Sequence, residues 1–345
     1  MDVTIVSLGS TEGLRVADDE LAAAIARAGA SVSVARAQPP RPRRTLMLTD
    51  LAWARAARAA LGRELARGAH PRALIYSTTT AALLWQRPGA VRFDATAADN
   101  RPGRHGVWQR PLERRRLAQA PLLLPWSASA LDARAAPASS DGRVLVLPVA
   151  IEASRQPGEN AAAGPGSRDI AAVTYAANPA KKGLDRVLAA WRERSRGRAS
   201  ARPEELVVTG VDAAQLRAAG LLRESDRAIR VLGRVSREEY RALLRRARVF
   251  VCAPRREDHG LAQLEALADG CQLVSTPAPG PYAALPIARE LDARLIDEDL
   301  ASALRAALDD PSPGYAQRAR EKLAPFGRAA VDRLVAEQLL PRLLG

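Results

Sequence analysis

The chain has 345 residues, 47% of them apolar, which is enough for sizeable cores and excludes global disorder. Its net charge is +14, and the first 150 residues carry 21 arginines and no lysine against 12 acids. No run of eighteen apolar residues occurs, which excludes a single membrane-spanning helix.

Such a charge favours anionic partners, namely phosphates, acidic lipids or nucleic acid. Arginine enrichment from a GC-rich genome would produce the same composition, and both readings stay open. The start, MDVTIVSLGS, has neither the basic region nor the long apolar run of a secretory signal, so a cytoplasmic location is expected.

In chain order, VTIVSL reads as a buried strand, DDELAAAIARAGA as a helix closed by Gly29, and SVSVA as the next strand. The apolar run TLMLT precedes a helix through LAWARAARAALGRELARG and a strand at RALIYS. AVRFDA, PLLLPW and RVLVLPV read as further strands, and WQRPLERRRLAQ as a helix despite Pro111. From Ile151 to Asp169 the composition turns to Gly, Pro, Ala and Ser without periodicity, which marks a linker.

Alternation then resumes with the strand IAAVTY, the helix GLDRVLAAWRER, the strand LVVTG, the helix DAAQLRAAG and the strand AIRVLG. The helix SREEYRALLRRA, the strand RVFVCAP, a further helix and the strand CQLVST follow, with helical segments from Ser302 to Leu344. The expected fold is α/β, with two Rossmann-like, doubly wound domains facing a central cleft. The boundaries are residues 1–150 for an acceptor-binding domain, 151–168 for the linker and 169–325 for a donor-binding domain. A C-terminal helix, 326–345, would pack back on the first domain.

Cys252 ends one strand and Cys271 begins the next, so parallel pairing puts the thiols at opposite ends and leaves them buried and unbridged. Only three lysines occur, Lys181, Lys182 and Lys322, and two of them are adjacent in NPAKKGLD. A chain that otherwise uses arginine keeps an ammonium there, a choice with functional meaning.

The stretch REDHGLAQLEALADG follows a predicted strand and opens a helix near Gly260. Such a helix start at a strand's carboxyl end is a physical anion site, and glycine allows close approach of a ligand. Glu265 falls at the edge of the apolar stripe Leu261, Leu264, Leu267, Ala268 and Cys271, while Glu257 falls in the turn. A dipole-matching charge and a boundary residue paired with an arginine are the purely structural readings of the two.

EDHGLAQLE resembles the E-x7-E signature of GT-B glycosyltransferases, in particular the retaining family 4 (group 1) type, with Glu257, Gly260, Leu261, Glu265 and Ala266 in register. NPAKKGLD is similar to that family's lysine–glycine segment, and LGRVSREEYRALLRRARVFVCAP to the segment before the signature. LGSTEGLRVADDELAAAIARAGASV is similar to its first glycine loop and helix, with Gly13 in that loop. The resemblance implies Glu257 and Lys182 as the catalytic pair. It also implies donor contacts from Lys181, His259, Gly260, Leu261, Glu265 and Gly13. The donor would be a UDP- or GDP-sugar, with no cofactor and no metal.

Departures from the family are Ala177 where an arginine usually stands, with Lys181, Arg255 or Arg256 as substitutes, and His259 in place of an aromatic. Asp94 takes the place of a usual histidine, and PAPGPYAAL lacks the usual acid. Asp94, Arg101, Arg104 and His105 are the candidates on the acceptor side. The acceptor would be a glycan or lipid-linked molecule, an anionic one in keeping with the charge, with Arg101 to Arg116 and Trp108 approaching an acidic membrane.

Asp297 and Asp299 read as helix-capping residues rather than metal ligands, and the three histidines show no metal spacing. The competing function is a catalytically weak or inactive scaffold that binds glycans or nucleic acid. An aromatic content of 4% and the lack of a recognition motif argue against nucleic acid.

Overall fold

Two five-stranded, wholly parallel sheets organise the chain among the described residues. The first holds β1 (Val3–Ser7), β2 (Val32–Arg36), β3 (Ala73–Tyr76), β4 (Ala90–Phe93) and β5 (Leu123–Pro125), in the order β2-β1-β3-β4-β5. The second holds β6 (Ile170–Tyr175), β7 (Leu206–Thr209), β8 (Ile229–Gly233), β9 (Ala247–Cys252) and β10 (Gln272–Ser275), in the order β10-β9-β6-β7-β8. Strands buried on both faces need helical crossovers, and the near-continuous apolar runs of the sequence are those strands. The computed structural model describes residues 1–41, 43–101, 103–131, 142–154, 168–196 and 204–345. It divides into Met1–Ala150 with Pro325–Gly345 as one unit and Ile151–Ala324 as the other. Most of the expected linker, residues 155–167, lies outside the described residues.

In the first unit, Val3 and Ile5 of β1 meet Leu21 and Ile25 of the helix α1 (Glu12–Arg27) in one core cluster. Val331, Val335, Leu339 and Leu340, from the end of the chain, complete that cluster. Arg27 binds Asp332 through two hydrogen bonds of 2.8 and 2.7 Å. The same unit encloses Arg92, which donates to the carbonyl of Ala17 at 2.9 Å and lies 4.9 Å from the ring centre of Trp126. Burial pulls its pKa down to about 10, against the opposing pull of Asp18 and Asp94. Asp18 accepts from Ser7 at 2.5 Å, and burial pushes its carboxyl up.

Three sequence readings are corrected. TLMLT is not a separate element. Thr45 caps the helix α2 (Leu46–Ala66) by accepting from Leu48 N at 3.2 Å, and the apolar run is that helix's first turn. A five-residue apolar run cannot by itself separate strand from helix. RVLVLPV makes only a bridge from Val144 to Leu123, with Leu145 and Leu147 donating to β5. Pro125 lacks the N–H that would answer the carbonyl of Leu145 and complete the ladder. Gly13 sits inside α1, and it is Gly9, at φ +56°, that takes the turn.

Both cysteines are buried and free, at opposite ends of the β9–β10 pair, whose register aligns Cys252 with Ser275. Asp299 caps the helix Leu300–Asp309 by accepting from Ser302 N at 3.0 Å, and Asp297 accepts from Asp299 N at 2.8 Å.

Arg192 of the helix Leu184–Ser195 clamps Asp226 through hydrogen bonds of 2.9 and 2.7 Å. That clamp holds the Asp226 carboxyl below its ordinary value of 3.8. A depressed carboxylate contributes stability that is present above its unfolded pKa and is lost as the pH falls through its lower folded pKa. Asp226→Asn is therefore expected to lower stability at neutral pH and to flatten the acid limb of the stability curve. Urea unfolding followed from about pH 7 to about pH 3 checks this, and an unchanged limb would show the clamp to be energetically silent.

Candidate functional site

The strand order of the second sheet reverses between β6 and β9, and the loops at the carboxyl ends of such a switch point form the usual ligand crevice. After β6, Asn178 caps the short helix Pro179–Lys182, its side chain accepting from Lys181 N at 3.0 Å. Gly183, at φ +61°, ends that helix and admits the next. After β9, residues 253–260 form a loop that leads into the helix Leu261–Ala268, capped by Gly260 at φ +84°.

These loops are joined through their backbones. Arg255 N donates to Lys181 O, Glu257 N to Pro279 O, and Ala283 N to His259 O, each at 3.1 Å. The approaches are too close for side chains. A Cβ on Gly183 would fall 1.8 Å from the carbonyl oxygen of Ala253, and one on Gly280 2.2 Å from that of Glu257. At Gly260 a Cβ would meet the Tyr282 ring at 2.6 Å. Glycine is required at all three by space as well as by backbone angle.

Within this frame Lys182 Nζ lies 2.6 Å from Glu257 Oε2, which also accepts from Gln263 Nε2 at 3.1 Å. Glu257 is buried, with only 6% of its surface exposed. Lys181 Nζ lies 3.4 Å from Asp258, Arg256 binds Asp258 at 3.0 Å, and Arg255 reaches out to Asp185 at 2.8 Å. Arg256 Nη2 is buried without a hydrogen-bond partner among the described residues. Ala177 is exposed and brings no charge to this group. Leu261, Ala262 and Gln263 form the first turn of the helix, ahead of its first bond, from Leu264 N to Gly260 O at 2.9 Å. Their amides form the positive end of the helix dipole.

Glu265 lies deeper than a stripe edge, with 7% exposure. Its Oε1 is 3.1 Å from Arg237 and 3.6 Å from Arg241. Burial pushes its carboxyl up, and Arg241 and Arg237 pull it down. Arg241 is shared: it also binds Asp269 at 2.9 Å, and Asp269 accepts from Ser154 N and Oγ at 2.8 and 2.6 Å. Arg237, Arg241, Asp269 and Gln263 were not singled out by the sequence reading. The i,i+4 spacing of the two arginines was visible, but nothing marked their partner. His259 is buried, and its carbonyl is used by Ala283.

The acceptor-side candidates all belong to the other unit. Asp94 follows β4, half-buried, and interacts electrostatically with Arg92. Arg101 is committed to Asp50 through bonds of 2.7 and 3.1 Å, and Gln109 donates to the same carboxylate at 2.6 Å. Arg104 and His105 stand exposed on the turn Gly103–Gly106. Among the described residues, no group of three His, Cys, Asp or Glu side chains is arranged to hold a metal.

Residues 168–310 match the family described as "Glycosyl transferases group 1". No match to a curated protein sequence was found. Among solved structures, WaaG, a glycosyltransferase involved in lipopolysaccharide biosynthesis, is 15% identical at a TM-score of 0.66, covering 96% of this chain and 99% of that one. Sucrose-phosphate synthase from Thermosynechococcus elongatus is 16% identical at a TM-score of 0.71, covering 99% of both chains. The Anabaena protein HepE, solved with UDP and glucose, is 14% identical at a TM-score of 0.64, covering 98% of both. At such identities the likeness is one of fold, and these three share theirs with this chain.

Removing one member of a buried ion pair strands the other charge, at a cost of about 3–5 kcal/mol. Lys182→Ala is accordingly expected to destabilise the protein by roughly 3 kcal/mol, and adding Glu257→Gln should recover part of that loss. A double-mutant cycle by urea unfolding measures the coupling, and additive effects would show that the pair is not an energetic unit.

Proposed function

We propose that this chain, a GT-B protein whose residues 168–310 form a group 1 glycosyltransferase domain, is a retaining, metal-independent hexosyltransferase. Its donor is a UDP- or GDP-sugar, and its acceptor a hydroxyl of a glycan or a lipid-linked molecule. The observation that carries this reading is the meeting of Lys182, Glu257 and the Gly260 helix start at the switch point of the second sheet. The complex of HepE with UDP and glucose supports a uridine diphosphate donor.

In this reading the donor diphosphate lies over the first turn at Leu261, and Lys182 exchanges Glu257 for a phosphate oxygen. Arg256, whose Nη2 has no hydrogen-bond partner among the described residues, supplies the charge that Ala177 does not. Lys181 stands close enough to join it. Glu265 holds the ribose from the arginine cluster, and Glu257, released from Lys182, faces the sugar hydroxyls beside His259. As the bond from the anomeric carbon to the phosphate oxygen breaks, negative charge grows on the diphosphate, where the ammonium and the helix amides stabilise it. The acceptor hydroxyl forms its bond to the anomeric carbon on the same face and gives its proton to the departing phosphate oxygen. The nucleoside diphosphate leaves. Asp94, Arg104 and His105 are the acceptor-side groups, and the enzyme works in the cytoplasm, in contact with acidic membrane.

Exposed Ala177 favours a second reading, a catalytically silent scaffold that binds glycans or nucleic acid through its basic surface. Donor hydrolysis separates the two. With a panel of UDP- and GDP-hexoses the wild type is expected to release free nucleoside diphosphate. Lys182→Ala and Glu257→Ala should each lower that rate by about a hundredfold or more. The absence both of turnover and of any nucleotide-dependent rise in Tm, for every donor tried, would overturn the enzyme reading.

A further inference from the structure

Helix α2 is apolar on two faces. Asp50, Ala54, Ala57 and Leu61 are buried on one side. On the opposite side, at the helical spacing i, i+3, i+4 and i+7, lie Leu48, Leu51, Ala52 and Arg55. With Pro40 and Arg43 these four line a groove of about 350 Å³. Leu46 and Leu48 expose 53% and 45% of their surface, and Val107 exposes 60%. Val107 belongs to the segment that Arg101 and Gln109 tie to Asp50, and so to the same helix. Three of the five exposed large apolar residues of the described chain thus lie on α2 or on a segment bound to it.

The charges around them have one sign. From Arg36 to Arg63 there are seven arginines and one acid, Asp50; from Arg101 to Arg116 the one acid is Glu113. Both acids are buried, at 6% and 4% exposure, so neither segment shows a carboxylate to solvent. Helix α2 also begins here with no acid in its first turn, so its positive dipole end adds to the field. A second copy of the chain would meet this face arginine to arginine, which disfavours self-association through it. Nucleic acid would match the charge but leave Leu46, Leu48 and Val107 without a purpose. Exposed leucine and valine ringed by arginine fit an interface with acidic headgroups outside and acyl chains beneath.

We propose that the start of α2, with Pro40, Arg43 and Arg44 before it and Val107 on the segment bound to it, docks on an anionic lipid bilayer. Leu46, Leu48 and Val107 enter the acyl boundary, and Arg43, Arg44 and Arg55 contact lipid phosphates. The docking surface is thus not the stretch Arg101 to Arg116 with Trp108 as a whole. Arg101 is spent on Asp50, Arg110 on the carbonyl of Gly103, and Arg116 on the carbonyl of Leu83 and the ring of Trp85. The inference deepens the lipid-linked acceptor of the proposed function and rests on that reading only for its purpose. Vesicle binding needs no turnover, so the two fail separately.

The test is co-sedimentation of the full chain with phosphatidylcholine vesicles, with and without phosphatidylglycerol. The wild type is expected to bind only the acidic vesicles. Arg43→Ala/Arg44→Ala/Arg55→Ala should bind about a hundredfold more weakly, the loss expected for three arginines near an acidic surface. Leu46→Ser/Leu48→Ser should also bind more weakly, whereas Arg114→Ala/Arg115→Ala should bind as the wild type does. Leu48→Trp should show a blue-shifted emission on acidic vesicles alone, a gain of signal that a misfolded variant would not give. Equal binding to neutral vesicles, equal damage from the Arg114/Arg115 variant, or no emission shift would overturn the proposal. So would a dimer of the free chain that Leu46→Ser/Leu48→Ser dissolves, or oligonucleotide binding tighter than vesicle binding at the same salt.

Discussion

The candidate donor site depends on backbones that touch. The loop after β9 is bound on one side to the loop after β6, through Arg255 and Lys181, and on the other to the loop after β10, through Glu257 and Pro279. Gly183, Gly260 and Gly280 make this possible, since a methyl group at any of them would overlap a carbonyl oxygen or the ring of Tyr282. Everything placed on the loop inherits its position from those contacts. Lys182 and Glu257 are 75 residues apart in the chain, yet they meet at 2.6 Å because Arg255, in the loop of Glu257, donates its N–H to the carbonyl of Lys181. A bond made along a backbone costs no side-chain entropy, which suits a site that must be ready before its ligand arrives.

The two units use arginine differently. Around the candidate donor site most basic groups are answered by acids: Lys182 by Glu257, Arg256 by Asp258, Arg255 by Asp185, and Arg237 and Arg241 by Glu265. At the start of α2 the arginines have no exposed acid near them in sequence, and the acids that are near have been taken inside. One residue type thus makes closed networks in one place and an open field in another, according to whether a carboxylate lies within its reach.

The parallel strands and their crossover helices were legible because period-2 and period-3.6 patterns follow directly from side-chain direction. The helix starts at Ser236 and Asp299 were legible because their hydroxyl and carboxylate face N–H groups three residues on. Where local signals were balanced, tertiary context decided: TLMLT was absorbed into a helix by Thr45, and RVLVLPV was held to a bridge because Pro125 offers no N–H to it. In the candidate site, Glu257, Gly260, Glu265 and Lys182 were visible as a spaced pattern, because a helix opening at a strand end needs glycine and short-range order. Gln263, Arg237, Arg241 and Asp269 were not, because their partners are brought to them by other elements and no spacing encodes that.

By itself, then, the amino-acid sequence determined the alternation of strands and helices, the excess of positive charge in the first unit and the placing of two glutamates around a glycine turn. Each of these is a local property, set by what neighbouring residues can do with one another along the chain. The tertiary structure alone decided which arginine answers which acid, that Arg92 and Asp18 share a buried interior, and that Arg101 and Gln109 both bind Asp50 of α2. Those are outcomes of packing, where desolvation and distance act between residues the chain keeps far apart.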